Sequence, residues 1–416
     1  MQVIIFYFKQ ILKNQSVFSL YYSIFTPYSE FTEMDFSFTI EQENLKKEVI
    51  AFAQQHMNDD MIKRDREGIF SKDLWKKCAD FGIQGLAAPA SLGGKYEKVD
   101  LLTAVLAMEG FGYGCKDNGL SLALNAHMWT VQLPMYEFGN EWQNETYIPR
   151  MVAGDLISAH GLTEPNTGSD TFAIETTAEK VDGGYILNGH KHLITLAPMA
   201  DVALIFASTN PKLGKWGISA FIVESSFEGF EAPPVQAKMG LRTVPIGQFI
   251  FKDCFVPESN RLGKEGAGFG IISHSLEYDR CCILASHLGA MERQLEESIE
   301  YVKQRKQFGK SIGSFQSVSN RIADMKLRLE TSRLLLYKTA WKKQTGSSAM
   351  MEASLLKLHL GESFAQSSLD AMRSMGGRSF LEEYEIERDM RDSIGGLLYA
   401  GTSDIQRNII AKLMGL

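Results

Sequence analysis

The sequence predicts a multidomain α+β protein in which a β-rich middle domain separates two helical domains. Its 416 residues are several times the usual domain length of about 150, so we expect two or three domains. Hydrophobic periodicity is helical before residue 157 and after residue 262, and strand-like between them. We place an N-terminal helical domain at 34–156, a middle antiparallel β-barrel-like domain at 157–262 and a C-terminal helical domain at 263–416.

Residues 1–33 are rich in aromatic side chains and carry two lysines and two glutamates. Their apolar run VIIFYF is shorter than the roughly 7 to 15 residues of a signal-sequence core and far shorter than the roughly 20 that span a bilayer. We therefore predict no transmembrane segment. We interpret 1–33 as a disordered or non-native extension, with translation starting at Met34. The alternative is a peripheral contact with a membrane or partner.

Each domain has its own local pattern. The stretch IEQENLKKEVIAFAQQHM carries an apolar stripe at helical spacing: Leu45, Val49, Ile50, Phe52 and Ala53. In the middle domain, five short β-rich runs, TTAEKV, GYILNG, VALIFAST, ISAFIVES and GQFIFKDCFV, alternate with turn signals such as Asp-Gly-Gly and Asn-Gly. Residues 276–308 then contain no proline and only Gly289 as glycine, which predicts a long helix.

Charge and cysteine usage exclude some functions. A formal charge of -7 and a pI near 5.7 argue against nucleic-acid binding, which needs a basic surface. The five cysteines form no CxxC pair and include the adjacent Cys281 and Cys282, so a reducing compartment, the cytoplasm, is expected. His160, His190 and His192 cluster without further ligands at metal-site spacing, and we predict no metal.

One loop suits a polar ligand. HGLTEPNTGSD, residues 160–170, combines proline, two glycines and several hydroxyl or acidic side chains at the start of the middle domain. Such loops expose backbone N–H groups, although composition alone favours a plain turn. No GxGxxG or GxxxxGK[ST] follows a predicted strand, so nicotinamide and P-loop sites lack support.

Six stretches, in order and spacing, resemble the acyl-CoA dehydrogenase family from about residue 38 to the C-terminus. They are GLTEPNTGSD, LNGHKHLIT, MGLRT with FKDCFVPESNRLGKEGAGF, RKQFGKSIGSFQ, SMGGRSF and YAGTSDIQRNII. The resemblance implies a C-terminal four-helix bundle, with FAD between the middle and C-terminal domains and across a subunit interface. It also implies a reaction, in which a base removes the proton α to a thioester carbonyl and a hydride leaves the β carbon for flavin N5.

The resemblance assigns cofactor contacts by position. Leu162 and Thr163 would meet the flavin pyrimidine edge, Ser169 the cofactor or the thioester's phosphates, and Thr195 the N5 side. A neighbouring subunit would supply Arg305, Phe308 and Gln316 to the adenosine diphosphate half. The full set of expected FAD contacts is Leu162, Thr163, Ser169, Thr195, Arg305, Phe308, Gln316, Arg373, Gly377 and Thr402.

Two positions near the expected flavin depart from the family pattern. Leu193 stands where relatives usually carry an aromatic residue before Ile-Thr, so flavin stacking area is lost. Arg373 stands where the family often has glutamine before Gly376 and Gly377, which adds charge near the phosphates. The glycines suit a backbone that approaches the cofactor closely.

The base is the third departure. Many members carry a catalytic glutamate after the tyrosine of YAGTSD, and here that residue is Ala400. A subgroup typified by isovaleryl- and long-chain acyl-CoA dehydrogenases carries its base on the first long C-terminal helix, before an arginine, where this chain has Asp279 and Arg280. Ala400 would keep a backbone N–H that polarises the thioester carbonyl. Glu277 corresponds to a pantetheine-binding residue.

Glu109, in AMEGFG, matches a glutamate near the acyl pocket floor, with a surface charge as the alternative. Asp279 has its own alternative, a purely structural pairing with Arg280 or a neighbouring helix.

We therefore predict dehydrogenation of an acyl thioester, with the acyl group on coenzyme A or a carrier protein and electrons passing to an electron-transfer flavoprotein or to oxygen. The resemblance implies a homotetramer, and a dimer would also complete the FAD site. Two alternatives remain: a flavin- or ligand-binding scaffold without dehydrogenase activity, and a flavin oxidase or monooxygenase on the same fold.

Overall fold

The N-terminal domain of the computed structural model is helical, and its helices begin at identifiable caps. The structure describes residues 37–233 and 237–416, so the extension 1–33 lies outside the described residues. The side chains of Ser71, Asp100, Asp117 and Asn140 accept hydrogen bonds from the backbone N–H three residues on. The helices are α1 (Ile40–His56), α2 (Met61–Glu67), α3 (Lys72–Phe81), α4 (Leu101–Gly114), α5 (Asn118–Asn125), α6 (Leu133–Phe138) and α7 (Glu141–Val152), with a π-helical turn at Ala126–Gln132 between α5 and α6.

The middle domain is built on one eight-stranded sheet. Its strands are β1 (Ser158–Gly161), β2 (Thr177–Val181), β3 (Gly184–Thr195), β4 (Val202–Ser208), β5 (Ile218–Glu224), β6 (Phe230–Glu231), β7 (Ile246–Pro257) and β8 (Arg261–Leu262). The main path runs β6-β7-β3-β2-β4-β5-β8, and β1 pairs with β4. All five strands predicted from the sequence are confirmed as β2, β3, β4, β5 and β7.

The sheet is mixed rather than wholly antiparallel as expected. Strands β1 and β2 both pair with β4 in parallel, through Ser158 with Val202 and Thr177 with Ser208. Parallel neighbours need a long connection, and the β2–β3 hairpin supplies it because it lies between β1 and β4 in the chain. This arrangement places the loop that follows β1 beside β3.

The C-terminal domain contains four long helices and three shorter ones. The long helices are α8 (Gly268–Cys282), α9 (Ala285–Gln304), α10 (Gln316–Gln344) and α11 (Met350–Met375), and the shorter ones are α12 (Ile386–Ser393), α13 (Gly395–Leu398) and α14 (Ser403–Leu413). A two-stranded hairpin, β9 (Lys306–Gln307) and β10 (Lys310–Ser311), joins α9 to α10.

The helix predicted over 276–308 is two helices and a hairpin strand. A turn at Ile283 and Leu284 separates α8 from α9. The helix also ends four residues early, because Arg305 is extended (φ -69°, ψ 124°) and leads into the β9–β10 hairpin, whose turn has positive φ at Phe308 and Gly309, 52° and 78°. Two consecutive left-handed residues suit a tight hairpin turn and cannot continue a right-handed helix.

Close packing of α4 against α9 joins the N-terminal and C-terminal domains. A Cβ added at Gly112 would stand 1.9 Å from the carbonyl oxygen of Ser286, and one at Gly289 would stand 1.9 Å from that of Glu109. Two glycines therefore let the helix backbones touch. Buried side chains on both sides continue into the middle domain, so the larger of two clusters of buried hydrophobic side chains contains residues of all three domains.

Candidate active site

Helix α8 carries the predicted base in a buried position. Asp279 is 6% exposed, and its Oδ1 atom has no hydrogen-bond partner among the described residues. Burial raises the pKa of this carboxyl group from its ordinary 3.8 to about 6, against the opposing charges of Arg280 and Lys357. A carboxylate with an uncommitted oxygen and a pKa near neutrality is suited to accept a proton at neutral pH.

Arg280 connects Asp279 to the turn that contains Ala400. Its Nε atom donates to the Ala400 carbonyl oxygen at 3.3 Å, and Gln406 Nε2 donates to the same oxygen at 3.1 Å. Ala400 has a left-handed backbone, φ 53°. Within the described residues no hydrogen bond uses its N–H group. The turn is therefore held through its carbonyl, and its amide is left as a donor.

Tyr399 anchors the other side of this turn. Its hydroxyl group lies 2.8 Å from His287 Nε2. Burial, followed by the charges of Asp279 and Asp392, raises the pKa of Tyr399 above its usual range, so the hydroxyl stays protonated. Burial and the nearby Lys357 lower the pKa of His287 to about 4, which keeps the imidazole neutral at pH 7.

Sequence reasoning missed two members of this cluster, His287 and Lys357. Lys357 is fully buried on α11, and its Nζ has no partner among the described residues. Burial, followed by repulsion from Arg280, lowers its pKa to about 8, while Asp279 opposes the shift. One sequence signal existed: Lys357 interrupts the stripe of Ala353, Leu360 and Phe364, all buried, and a lysine on an apolar helix face needs an explanation.

Glu277, two residues before Asp279, faces different neighbours. Its carboxylate accepts from Lys343 Nζ at 2.9 Å, from the backbone N–H of Ala349 at 3.3 Å and from Ser348 Oγ at 3.4 Å. These donors tie α8 to the end of α10 and the start of α11. A pantetheine contact at Glu277 would share or displace one of them.

Glu109 is not a surface charge, so that interpretation is wrong. The side chain is 0% exposed and lies 2.8 Å from Lys46 Nζ, while Tyr337 Oη donates to it at 2.6 Å and Arg333 Nε at 3.3 Å. A carboxylate this deep persists because cations and donors compensate its lost hydration. No contact within the described residues joins Glu109 to Asp279.

The loop after β1 lies against β3, which brings three expected flavin contacts to one end of the sheet. The carbonyl oxygen of Thr163 accepts from His192 N at 2.8 Å, and a buried Lys191–Glu164 pair at 2.6 Å fixes the same loop to β3. Leu162 and Thr163 therefore lie beside the strand that ends at Thr195. Leu193 occupies an irregular register position with φ 58° and is 58% exposed.

The polar groups at this end fit the FAD that the resemblance implies. The hydroxyls of Thr163, Ser169 and Thr195 take part in no hydrogen bond within the described residues. In the C-terminal domain, the Thr402 hydroxyl caps α14 by accepting from Ile405 N at 3.3 Å. Next to it, Ser403 Oγ and Gln406 Oε1 are buried and have no hydrogen-bond partner among the described residues. Unused hydroxyls and an amide suit the pyrimidine edge and polar chain of a flavin.

The other expected cofactor contacts lie in the C-terminal domain. Phe308 is 93% exposed at the tip of the β9–β10 hairpin, and Gln316 begins α10, also exposed. Arg373 lies in the last turn of α11, with its side chain 56% exposed and 3.7 Å from Asp370. Gly377 has open space around it. Among the described residues, no contact joins Arg305, Phe308 or Gln316 to the flavin-edge residues of the same chain.

The remaining sequence features have ordinary structural roles. All five cysteines are buried and free. In residues 37–233 and 237–416 no group of three or more histidine, cysteine or acidic side chains is arranged to hold a metal ion. No helix in the same ranges has both the length and the hydropathy needed to cross a membrane.

Family models match the chain in three consecutive segments. The N-terminal, middle and C-terminal domain models of acyl-CoA dehydrogenase match residues 39–155, 159–254 and 266–415. Together they account for nearly all of the chain after residue 38, in the order of the three domains described above.

Individual relatives are similar over almost their full length. An L-prolyl-[peptidyl-carrier protein] dehydrogenase from Serratia sp. is 40% identical over 383 residues, 92% of this chain and 99% of the relative. The crystal structure of the prolyl acyl carrier protein oxidase AnaB is 45% identical with a TM-score of 0.90, covering 91% of this chain and 100% of AnaB. The structure of PigA with FAD and proline is 40% identical with a TM-score of 0.90, covering 92% and 100%.

Proposed function

Since the chain belongs to the acyl-CoA dehydrogenase family and is an FAD-dependent dehydrogenase of acyl thioesters, we propose that its substrate is a prolyl group on a carrier protein and that Asp279 is the base. The observation that carries the assignment of the base is the buried Oδ1 of Asp279, which has no partner among the described residues and lies beside the turn at Ala400. The substrate class is supported by the two carrier-protein relatives at 40% and 45% identity.

Asp279 accepts the proton from the carbon α to the thioester carbonyl, and the electron pair of that C–H bond becomes the new C=C bond. FAD, when bound, would supply the electron acceptor for the hydride that leaves the β carbon. The substrate loses two hydrogens, one as the proton on Asp279 and one as the hydride. Because Asp279 becomes neutral in this step, burial, which disfavours its charged form, favours the transfer.

The turn at Ala400 stabilises the charge that develops on the thioester oxygen. The Ala400 N–H has no acceptor among the described residues, and Arg280 and Gln406 fix the turn through the carbonyl oxygen on its other side. A preorganised donor of this kind is worth on the order of a hundredfold in rate. The amide does this whatever the side chain, so Ala400 retains a role although it cannot be a base.

Assembly and location complete the proposal. The exposure of Phe308 and Gln316 supports a homotetramer in which the β9–β10 hairpin of one subunit reaches the FAD of another. Sedimentation of the purified flavoprotein separates a tetramer from a dimer.

Five free, buried thiols support a location in the cytoplasm. The electron acceptor is an electron-transfer flavoprotein or oxygen, and oxygen uptake during turnover separates the two.

The test is anaerobic bleaching of the bound flavin by prolyl-carrier protein, prolyl-pantetheine and a series of acyl-CoA thioesters. We expect prolyl thioesters to bleach the wild type. Asp279→Asn should slow bleaching about a thousandfold, while Asp279→Glu, which keeps the carboxylate, should retain most of it. The FAD content of each variant controls for folding.

Three results would contradict the proposal. Equal bleaching of the wild type and Asp279→Asn would remove Asp279 as the base. Bleaching by acyl-CoA thioesters alone would remove the carrier-bound prolyl substrate and leave the family reaction intact. Failure of every thioester, with FAD bound, would favour the scaffold interpretation.

A further inference from the structure

A surface patch of three aromatic and three lysine side chains lies where α8 begins. Its members come from three segments: the loop after β1, the turn Pro211–Gly217, and the residues that lead into α8. We call it the rim patch, and it consists of Phe172, Lys212, Lys215, Trp216, Lys264 and Phe269.

The aromatic residues hold the three segments together. The ring centroid of Phe269 lies 4.9 Å from that of Phe172 and 4.8 Å from that of Trp216, both in edge-on arrangements. Lys215 Nζ lies 4.3 Å from the Phe269 ring centroid and 5.0 Å from that of Trp216. Trp216 is nevertheless 59% exposed. An exposed tryptophan that packs against another aromatic ring is typical of the residues that contribute most binding energy to protein interfaces.

The lysines make the rim patch basic in a chain whose net charge is -7. Lys212, Lys215 and Lys264 are exposed, and none lies within 4.0 Å of a carboxylate in the described part of the chain. Glu265, on one of the same segments, is already shared between Lys180 at 3.6 Å and Arg261 at 3.8 Å. On the segment that contains Phe172, Asp170 is the only acidic residue between the end of the motif GLTEPNTGS and Phe172. The surface therefore complements a negatively charged partner.

One member of the rim patch, Phe269, lies on the same helix as the base. Phe269 is in the first turn of α8, and Asp279 comes ten residues later, which is about 15 Å along the helix axis at 1.5 Å per residue. An extended pantetheine arm covers a distance of this size. A protein seated on the rim patch would thus bring the thioester at the end of its arm to Asp279.

We propose that the rim patch is the docking surface for an acidic face of the carrier protein, whose pantetheine arm follows α8 from Phe269 to Asp279. This inference rests on the proposed function, because it assumes a carrier-bound substrate. The lysines attract and orient the carrier, and Trp216 with Phe269 supplies the apolar contact beneath them. The same lysines would contact phosphates if coenzyme A were the natural carrier, and the experiment separates these two sources of negative charge.

The test compares one acyl group on three carriers. Flavin reduction is measured with prolyl-carrier protein, prolyl-pantetheine and prolyl-CoA in the wild-type holoenzyme, in the variant K212E/K215E/K264E and in W216A. The matched control is K47E/K63E/K72E, which makes the same charge change at exposed lysines of α1, α2 and α3. Like the rim lysines, these three have no carboxylate within 4.0 Å in the described part of the chain.

We expect KM for prolyl-carrier protein to rise about tenfold or more in the rim variant and to change little in the control, because charges at an interface rim act mainly on association. KM and kcat for prolyl-pantetheine should stay at wild-type values. Added salt should raise the wild-type KM for the carrier protein and leave the rim variant nearly unaffected. W216A should raise the same KM without changing its salt dependence.

Three outcomes would overturn the docking surface. An unchanged KM for the carrier protein would show that it binds elsewhere. A loss confined to prolyl-CoA would show that the lysines hold nucleotide phosphates. An equal loss of flavin reduction with prolyl-pantetheine would show that the substitutions disturb the binding of the pantetheine arm or the fold, rather than the docking of the carrier protein. In each case the proposed function would stand as long as prolyl-carrier protein bleaches the wild type. If it does not bleach the wild type, both the proposed function and the docking surface are wrong.

Discussion

Glu277 and Asp279 are two buried carboxylates on one helix, and they differ in their hydrogen-bond partners. Glu277 is surrounded by donors: Lys343 Nζ at 2.9 Å, Ser348 and the Ala349 amide. Asp279 keeps one oxygen without a partner in the described part of the chain, although it is about equally buried, 6% against 8% exposed. The difference teaches that burial alone does not identify a catalytic acid. A paired buried carboxylate joins helices, whereas an unpaired one is held ready to exchange a proton.

The strongest way to test this comparison is to move the base. Asp279→Ala should nearly abolish flavin bleaching, and the double variant Asp279→Ala/Ala400→Glu should recover on the order of a hundredfold of the lost rate, since the turn at Ala400 is tied to Arg280 beside the original base. Stopped-flow bleaching with prolyl-pantetheine measures both. No recovery, in a double variant that binds FAD normally, would mean that the α carbon does not lie between the two positions.

The unpaired carboxylate should also cost stability in a defined pH range. The pKa of Asp279 is about 6 in the folded protein against 3.8 ordinarily. Between these values the folded state holds a proton that the unfolded state has released, so stability falls as pH rises from about 4 to 6. At 1.4 kcal/mol per pKa unit the loss is about 3 kcal/mol. Asp279→Asn should be more stable than wild type by about that amount at pH 7 and equal to it below pH 4.

Chemical denaturation of the two proteins at several pH values measures this difference. The Asp279→Glu variant is the control, because it keeps a titrating group. An Asn variant that is less stable than wild type at pH 7 would indicate that Asp279 has a structural partner.

The paired carboxylate should behave in the opposite way. Glu277→Gln removes the charge that compensates Lys343, whose side chain is only 8% exposed, and should lower stability by about 2 kcal/mol. We expect any kinetic effect in KM rather than kcat, since Glu277 does not face the Asp279 side of the helix. Denaturation at pH 7 and saturation kinetics test the two parts. A fall in kcat at unchanged stability would indicate that Glu277, and not Asp279, has the catalytic role.

The smallest effect concerns the turn. Tyr399→Phe removes the 2.8 Å hydrogen bond to His287 and leaves a buried imidazole with no partner for Nε2, at a cost of about 1 kcal/mol. The bleaching rate should change less than tenfold, because the hydroxyl contacts His287 and not Asp279. A rate loss as large as that of Asp279→Asn would make Tyr399 part of the proton transfer itself.

Particular residues show how far sequence reasoning reaches. The five predicted strands and the helical character of both flanking domains follow from periodicity. The long helix predicted over 276–308 is divided, because left-handed residues at Phe308 and Gly309 and the turn after Cys282 leave little trace in a hydrophobic pattern. The parallel pairing of β1 with β4 is also absent from the local signal, since it depends on how a distant strand returns to the sheet.

The residues of the candidate site also fall into those that the sequence could identify and those that only the structure revealed. Ala400 and Asp279 could be selected from motif positions alone. His287 and Lys357 could not, because each becomes relevant only where α9 and α11 pack beside α8. The interpretation of Glu109 as a surface charge failed for the same reason: Lys46 and Arg333, which compensate it, lie on α1 and α10.

By itself, the sequence determined the order of the three domains, an alanine at position 400, where the family resemblance leads us to expect a glutamate, and an acid before Arg280. Those features are local: they depend on residue type, spacing and periodicity. Only the tertiary structure decided which carboxylate of α8 is paired, which lysines are buried and which stand exposed around Trp216. Pairing and burial depend on contacts between segments far apart in the chain, and the free energy of a charge is set by those neighbours rather than by its position in the sequence.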